Sequence, residues 1–353
     1  MSTLMVMAGG TGGHVYPALA VAEHLRAQGW HIVWLATEGG MENRLIADKH
    51  YDVAVIRMSG VRGKGMLRKL AAPLQVLRAC AQSWSAMRRY RPDVVLGMGG
   101  FAAFPGGLTA WLLRRPLVIH EQNSIAGLTN RVLAHFARRV LAAFPSAFGA
   151  RAALVGNPVR AEITAVPPPE QRFAGREGAL RVLVVGGSLG AQALNEIVPK
   201  ALAQLPATSR PQVVHQAGEK HIAELERHYR EAGVTAETCA FLDDMAARYA
   251  WADLVICRAG ALTVAELAAV GVASVLVPFP HAVDDHQTYN ARYLSDHGAA
   301  MLLPQGELNA KALAQLLSGT SRERLLQMAQ RARDLGKPQA TATVAGICKE
   351  LAS

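Results

Sequence analysis

The feature that most constrains the fold is a pattern that occurs twice: an apolar strand, a glycine-rich loop and the start of a helix. The first copy is Ala8-Gly-Gly-Thr-Gly-Gly-His14 and the second is Val185-Gly-Gly-Ser-Leu-Gly-Ala191. Around each copy, short apolar runs rich in β-branched residues alternate with longer helical patterns, which is typical of parallel α/β folding. The chain is therefore predicted to be α/β, with two Rossmann-like doubly wound domains.

The expected elements follow this alternation. Strands are predicted at Leu4–Ala8, His31–Ala36, Val53–Arg57, Val94–Gly97, Leu117–His120, Arg181–Val185, Gln212–His215, Leu254–Cys257 and Ser274–Val277. Helices are predicted at Pro17–Gln28, Leu67–Arg89, Ala191–Leu205, Lys220–Ala232, Thr263–Val270 and His286–Asp296.

The length of 353 residues also favours two domains, since a domain averages roughly 150 residues. A proline-rich stretch, 156–178, separates the two halves and indicates a linker. We therefore expect an N-terminal domain over 1–155 and a C-terminal domain over 179–353, whose final helix is free to pack back on the first domain. Facing each other across a cleft, such domains bind ligands at the carboxyl ends of their strands, where both glycine loops lie.

Composition excludes several classes of protein. Hydrophobic residues make up 51% and charged residues 18%, which supplies two buried cores and argues against disorder. Four widely spaced cysteines, without a CxxC pair, indicate reduced thiols rather than a disulfide framework or a zinc site. The N-terminus is expected to be a strand and not a signal peptide, and no run approaches 18 apolar residues.

The net charge of +10 is unevenly distributed. Residues 1–155 hold 18 of the 37 basic residues and only 7 of the 27 acidic ones, so the first half carries all of the excess. Arg, Leu and Trp recur at roughly helical spacing between Leu67 and Arg91, and Trp111, Arg114 and Arg115 form a second cluster. A basic, apolar face of this kind favours an anionic membrane surface, although a helix that covers its own core explains the apolar positions equally well.

The first glycine loop does not match the common nucleotide-binding motifs. A dinucleotide fingerprint starting at Gly10 would need glycine where Val15 stands, and no P-loop sequence occurs. The alternatives are a tight turn without a ligand, or a loop whose backbone N–H groups approach an anion at a helix N-terminus. His14, a titratable side chain on the first turn, favours a functional loop.

Polar segments follow several predicted strands. In the second half, Ser188 can donate a hydrogen bond to phosphate, and Glu266 can accept two ribose hydroxyls, or else belongs to a helix-start charge pattern. The segments 120–130 and 277–290 are also unusually polar, and such loops at strand ends often line binding sites.

Taken together, seven motifs resemble the bacterial MurG-type transferases over nearly the whole chain. They are Gly9-Gly-Thr-Gly-Gly-His-Val-Tyr-Pro17, Gly97-Met-Gly-Gly100, His120-Glu-Gln-Asn123, Gly156-Asn-Pro-Val-Arg160, Gly186-Gly-Ser-Leu-Gly-Ala-Gln192, Arg258-Ala-Gly-Ala-Leu-Thr263 with Glu266, and Asp285-His-Gln287. The resemblance implies an inverting GT-B glycosyltransferase of peptidoglycan synthesis, without a cofactor or a catalytic metal. It would move N-acetylglucosamine from UDP-N-acetylglucosamine to lipid-linked muramyl-pentapeptide, as a peripheral protein at the cytoplasmic face of the inner membrane.

The resemblance also implies roles for individual residues. Thr11, Gly12 and Gly13 would lie beside the donor sugar and the acceptor, and Asn123 would contact the N-acetylglucosamine. The diphosphate would be bound by Arg160 and Ser188, the uracil by the backbone of Leu242, and the ribose by Glu266. The phosphates would also be contacted by Ala261, Leu262 and Thr263, and the sugar hydroxyls by Gln287 and Asn290. Further substrate contacts would come from Val264 and Ala265. The chain departs from the family pattern after Gly100, where Phe101-Ala-Ala-Phe104 stands.

A general base must lie within hydrogen-bonding reach of the attacking hydroxyl; His14 is the candidate, and Glu121 is the fallback.

Three other functions remain open from the sequence. A nucleic-acid binder would use the basic half but lacks a recognised motif, so no nucleic-acid partner is expected. An epimerase acting on UDP-N-acetylglucosamine, or a diacylglycerol glycosyltransferase, would share the architecture. The sequence identifies no protein partner.

Overall fold

The computed structural model describes residues 1–58, 66–187 and 190–352, with the backbone alone described for 66–71. It divides into two compact units. Unit 1 comprises Met1–Arg160 and Pro338–Ser353, and unit 2 comprises Ala161–Lys337.

Unit 1 is built on a parallel sheet of seven strands in the order β3-β2-β1-β4-β5-β6-β7. These strands are β1 (Thr3–Ala8), β2 (His31–Thr37), β3 (Asp52–Ile56), β4 (Val94–Gly99), β5 (Leu117–Glu121), β6 (Arg139–Ala142) and β7 (Ala153–Leu154). The helices that connect them are α1 (Gly12–Arg26), α2 (Met41–Leu45), α3 (Met66–Tyr90), α4 (Ala103–Leu112) and α5 (Leu128–Leu133). Every residue of β1 and β4 is buried, as expected for central parallel strands covered on both faces.

Unit 2 repeats this arrangement with six parallel strands in the order β10-β9-β8-β11-β12-β13. They are β8 (Arg181–Val185), β9 (Gln212–Gln216), β10 (Glu237–Cys239), β11 (Leu254–Cys257), β12 (Ala273–Leu276) and β13 (Met301–Leu302). Its helices are α6 (Ala161–Thr164), α7 (Pro169–Phe173), α8 (Gln192–Ala203), α9 (Ile222–Ala232), α10 (Met245–Trp251), α11 (Ala261–Val270), α12 (His286–Ser295), α13 (Ala310–Ser318) and α14 (Arg322–Leu335).

The final helix, α15 (Ala340–Ala352), belongs to unit 1. Its buried residues Val344, Ala345 and Cys348 lie in the same apolar cluster as the side chains of α1, β1 and β4. Thr341 also donates a hydrogen bond to the carbonyl of Val159 at 3.0 Å. Unit 1 is therefore completed by residues from both ends of the chain.

Residues 161–178, the second part of the predicted linker, lie in unit 2. Here the buried guanidinium of Arg172 donates to the backbone carbonyls of Tyr249 at 3.1 Å and Val270 at 3.3 Å. Arg176 forms an ion pair with Asp253, whose side chain is fully buried. These contacts bind the segment to the core of unit 2.

In both sheets the strand order reverses next to the first strand, between β1 and β4 in unit 1 and between β8 and β11 in unit 2. Open α/β sheets bind ligands beyond the carboxyl ends of their strands at such a switch point. The prediction of two Rossmann-like domains is confirmed, and each glycine loop lies at the switch point of its own sheet. Of the helices described, none combines the length and the apolar character needed to cross a membrane.

Helix α1 starts five residues before the predicted Pro17. Proline is common in the first turn of a helix and glycine weakens a helix interior, so the sequence favoured the later start. In the structure the carbonyl of Thr11 accepts hydrogen bonds from the N–H groups of His14 and Val15, at 3.1 and 3.2 Å. Thr11 is consequently the N-cap, and Gly12, Gly13 and His14 form the first turn.

Candidate active site

Gly99, the last residue of β4, makes room for His14, and Gly100 after it makes room for the first loop. At Gly99, whose φ is +104°, an added Cβ would lie 2.9 Å from Cε1 and 3.0 Å from Nδ1 of the His14 ring. At Gly100, an added Cβ would collide with the backbone of Gly9 in the first loop. The two motifs therefore need each other, because the absence of side chains after β4 allows the first loop and the ring of His14 to pack there.

A row of hydrogen bonds leads from His14 into the core of unit 1. Its Nδ1 lies 2.7 Å from Oε1 of Gln122. Nε2 of Gln122 lies 3.0 Å from Nδ1 of His120, and Nε2 of His120 lies 2.8 Å from the carbonyl oxygen of Gly156. His120 and Gln122 are buried, whereas His14 is half-buried.

Glu121 is engaged differently from His14. Its Oε1 accepts hydrogen bonds from the backbone N–H and the side-chain amide of Asn123, at 3.0 and 3.3 Å. Its Oε2 accepts from the N–H of Gly127 at 3.1 Å and from the amide of Asn130 at 2.9 Å. A carboxylate has about four lone-pair sites, and the loop after β5 together with the first turn of α5 uses all of them. This arrangement favours His14 over Glu121 as the general base and gives Glu121 the role of organising the loop.

The first glycine loop binds an internal carboxylate. Glu42, which is fully buried, accepts hydrogen bonds from the N–H of Thr37 at 2.8 Å and from the N–H of Gly10 at 3.3 Å. One N–H of this loop is thereby directed at a side chain of the protein. Thr11 beside it is exposed, and Gly12 and Gly13 are half-buried.

Arg160 is the last residue of the first segment of unit 1. Its guanidinium carbon lies 5.7 Å from the ring centre of Tyr16 on α1, a cation–π contact. Tyr16 is one turn of α1 from Gly12 and Gly13, so the charge of Arg160 is near the first loop.

In unit 2 the second glycine loop is fixed by Gln216 at the end of β9. Its side-chain amide exchanges two hydrogen bonds with the backbone of Gly187, both at 3.1 Å, and donates a third to the carbonyl of Ala240 at 2.9 Å. At Gly190, where φ is +76°, a Cβ would collide with the carbonyl of Ala217. Ser188, the predicted phosphate ligand of this loop, lies outside the described residues.

Helix α11 begins directly after β11, with Gly260 as its N-cap. The N–H groups of Ala261, Leu262 and Thr263 occupy its first turn, where they have no partner within the helix and the helix dipole is positive. Val264 and Ala265 follow on the same turn, Val264 with its side chain buried. This helix start is suited to bind an anion.

Glu266 lies on the second turn of α11. The hydroxyl of Tyr249 donates to its Oε2 at 3.0 Å, and only 6% of the residue is exposed. Burial, and then the charge of Glu266, raise the pKa of the Cys257 thiol to about 12. Glu266 is therefore a buried carboxylate that lies where α10, β11 and α11 pack together.

Gln287 and Asn290 hold the loops around this helix start. Oε1 of Gln287 accepts from the N–H groups of Ala259 at 3.2 Å and Phe279 at 2.9 Å, while the buried Asn290 donates to the carbonyl of Ala259 at 3.2 Å. Their contacts with sugar hydroxyls stay predictions. Leu242, the predicted uracil contact, is buried in the loop between β10 and α10.

The described residues of the predicted site divide between the two units. Unit 1 gathers Thr11, Gly12, Gly13, His14, Glu121, Asn123 and Arg160, and unit 2 gathers Leu242, Ala261, Leu262, Thr263, Val264, Ala265, Glu266, Gln287 and Asn290. Sequence reasoning gave no role to Glu42, Gln122, Gln216 and Tyr249. Of these four residues, only Gln122 lies in one of the polar segments noted in the sequence, 120–130. In the described parts of the chain, no group of three His, Cys, Asp or Glu side chains is arranged to hold a metal ion.

Two family models match the chain in succession. Residues 4–142 match the glycosyltransferase family 28 N-terminal domain, and residues 181–345 match the C-terminal domain of the same family. The GT-B architecture predicted from the sequence is thereby confirmed.

Full-length relatives give a finer assignment. The chain is 60% identical over 353 residues to a protein of Aromatoleum aromaticum and 61% identical over 352 residues to one of Azoarcus sp., covering 99% of each relative. Both relatives bear the name UDP-N-acetylglucosamine--N-acetylmuramyl-(pentapeptide) pyrophosphoryl-undecaprenol N-acetylglucosamine transferase. These matches cover the whole of this chain.

Solved structures agree with this assignment. MurG of Acinetobacter baumannii matches with a TM-score of 0.88 and 44% identity, over 99% of this chain and all of that one. A UDP-N-acetylglucosamine 2-epimerase from Listeria monocytogenes matches with a TM-score of 0.65 at 14% identity, which shows a shared fold alone. As the sequence motifs predicted, the chain belongs to the MurG family of N-acetylglucosamine transferases.

Proposed function

We propose that the chain transfers N-acetylglucosamine from UDP-N-acetylglucosamine to the 4-hydroxyl of the muramyl sugar in undecaprenyl-diphospho-muramyl-pentapeptide, converting lipid I to lipid II in peptidoglycan synthesis. The observation that carries the proposal is the identity of about 60% over the full length to relatives named for this transfer. Because the matched length covers 99–100% of this chain, both units are included in it, which supports the same donor and acceptor.

Unit 2 binds the donor in this proposal. The first-turn N–H groups of α11 donate hydrogen bonds to the diphosphate, whose negative charge grows as the bond to the sugar breaks. Glu266 accepts hydrogen bonds from the ribose hydroxyls, and Tyr249 fixes the position of its carboxylate. Ser188, Arg160 and Leu242 keep the diphosphate and uracil contacts that the resemblance implies.

Unit 1 supplies the base. The muramyl hydroxyl oxygen attacks the anomeric carbon while the bond from that carbon to the UDP oxygen breaks, so UDP leaves with the electron pair and the configuration inverts. The hydroxyl proton passes to His14, which is partly accessible and hydrogen-bonds Gln122 through Nδ1. Both carboxylate oxygens of Glu121, in contrast, already accept hydrogen bonds from nearby residues. Thr11, Gly12, Gly13 and Asn123 surround the reacting sugars.

We further propose a peripheral position at the cytoplasmic face of the inner membrane. The acceptor is lipid-linked, and α3 and α4 of unit 1 expose large apolar side chains. Leu74 is 71% exposed, Leu77 66% and Leu112 53%, with Trp84 and Trp111 beside them. Arg88 lies over the ring of Trp84 at 5.5 Å and lines a surface pocket with Arg91 and Arg115. Leu67–Leu70, at the start of the predicted basic and apolar pattern that ends at Arg91, have side chains outside the described part of the chain.

This face predicts binding to anionic vesicles. Binding should rise with the fraction of anionic lipid and fall with salt, because each arginine near such a surface contributes about 1 kcal/mol that counterions screen. The double variant Leu74→Ser, Leu77→Ser should bind more weakly in a vesicle sedimentation assay. Leu154→Ser, which removes an exposed leucine from β7, is the matched control. Binding that is indifferent to lipid charge, salt and the double variant would contradict a membrane face here.

The transfer itself is tested with labelled UDP-N-acetylglucosamine and lipid-linked muramyl-pentapeptide, against the same mixture without acceptor. We expect a labelled disaccharide lipid only in the complete mixture. Epimerised sugar formed without acceptor would favour the epimerase, and transfer to diacylglycerol instead of the muramyl lipid would favour the other rival. Either result would reject the proposed acceptor.

A further inference from the structure

In the row of hydrogen bonds through His14, Gln122 and His120, the geometry determines which atom donates and which accepts at each step. At its inner end, Nε2 of His120 lies 2.8 Å from the carbonyl oxygen of Gly156, which can only accept. His120 therefore carries a proton on Nε2. It is fully buried, and burial lowers its pKa to about 4, so the ring is neutral at physiological pH and its Nδ1 has a free lone pair.

The orientation of the Gln122 amide follows from two acceptors. Its Nε2 lies 3.0 Å from Nδ1 of His120 and also 3.0 Å from the backbone carbonyl oxygen of the same residue. A carbonyl and an unprotonated nitrogen both require a donor, so this end of the side chain is the NH2 group. The other end, Oε1, must then face His14.

The orientation of the Gln122 amide determines which ring nitrogen of His14 carries the proton. Oε1 of Gln122 only accepts hydrogen bonds, so Nδ1 of His14, 2.7 Å away, carries the proton. In a neutral imidazole the second nitrogen is then an acceptor. The Nδ1 and Cε1 edge of the ring also lies against Gly99, which leaves no room there for a side chain.

We propose that Gln122 is a positioning residue which, held by His120, locks His14 in the Nδ1–H tautomer and directs the lone pair of Nε2 to the acceptor hydroxyl. The use of that lone pair rests on the proposed transfer; the tautomer itself does not. In catalysis Nε2 takes the hydroxyl proton, and Oε1 of Gln122 continues to accept from the Nδ1–H of the resulting imidazolium.

The tautomers are measured directly. In protein labelled with 15N-histidine, long-range 1H–15N correlation spectra distinguish protonated from unprotonated ring nitrogens, and His14→Ala identifies the His14 signals. We expect Nδ1–H for His14 and Nε2–H for His120. A wild-type spectrum with His14 in the Nε2–H form would overturn the proposal without any assay of activity.

Gln122→Met removes the acceptor at nearly constant volume. The side chain is buried near the thioether of Met98, so the replacement preserves the apolar packing while it also removes the donor to Nδ1 of His120. His14 should move toward the Nε2–H tautomer while His120, still bonded to Gly156, keeps its Nε2–H tautomer. We expect kcat to fall roughly three- to tenfold, the effect of one net hydrogen bond on the tautomer ratio, with KM for the donor unchanged. A His120 ring that keeps its Nε2–H tautomer reports that the local fold is intact.

Gln28→Met is the matched control, because Gln28 also contacts a histidine, the exposed His24, at 2.9 Å. It should leave the His14 tautomer and kcat unaltered. A loss of kcat in Gln122→Met without a change of the His14 tautomer would assign Gln122 a merely structural role and overturn the proposal. If the expected tautomers are present but the wild type transfers no sugar, the proposed function fails and the assignment of the tautomer stands.

Discussion

Replacement of His14 by alanine should lower kcat by about 10²–10⁴, the usual contribution of a positioned general base, and leave the affinity for UDP unchanged. The expectation rests on the difference between two candidate bases. Glu121 is 2% exposed and accepts four hydrogen bonds from the following loop and α5, whereas His14 is partly accessible at the switch point of the unit 1 sheet. Steady-state transfer rates and calorimetric titration with UDP measure the two quantities.

His24→Ala, a substitution on the same helix, is the control and should behave as wild type. The protein should remain folded in both variants, because His14 is only half-buried. A His14→Ala enzyme with near-normal kcat would reject His14 as the base. The hydrogen bonds of Glu121 would then have to rearrange for it to take that role.

Replacement of Glu266 by alanine should weaken UDP binding about 10- to 100-fold. Hydrogen bonds to a charged group contribute about 1.5–3 kcal/mol, and a carboxylate that bridges two ribose hydroxyls loses them all when it is removed. Calorimetry gives the dissociation constants, and Glu226→Ala, which removes an exposed carboxylate from α9, is the control.

A comparison with 2′-deoxy-UDP makes this test specific for the ribose. The wild type should bind 2′-deoxy-UDP more weakly than UDP, and in Glu266→Ala this difference should shrink, because the two changes remove the same interaction. If Glu266→Ala lowers the affinity for UDP and for 2′-deoxy-UDP by the same factor, Glu266 does not contact the 2′-hydroxyl. It would then support the fold of α10 and α11 through Tyr249.

The main strands were predictable because central parallel strands are buried on both faces and form continuous apolar runs. Arg181–Val185 and Leu254–Cys257 coincide with the observed strands, and Leu117–His120 is one residue short. The strands β7 and β13 have two residues each, which is too short for any pattern. The edge strand β3 is largely exposed, and it begins at Asp52, one residue before the predicted start.

Motifs gave the identity of the site residues but not their local partners. Gly10 and Glu42 are 32 residues apart, and Gly187 and Gln216 are 29 apart; nothing near either glycine indicates the side chain that fixes it. These contacts arise because neighbouring strands of a parallel sheet bring their carboxyl ends to one edge. The hydrogen-bond row from His14 to His120 also depends on the parallel sheet, since it joins the first turn of α1, which follows β1, to the end of β5, and β4 lies between these two strands.

The course of the chain has a practical consequence for dividing this protein. Because α15 completes the apolar core of unit 1, the second Rossmann-like unit is an insertion within the first and not a successor to it. A fragment ending at Arg160 would leave the surface of α1 and β4 uncovered and prone to aggregate. A fragment of residues 161–337 keeps its own sheet whole. A cut at the end of the matched C-terminal family domain, residue 345, would pass through the helix that the N-terminal half needs.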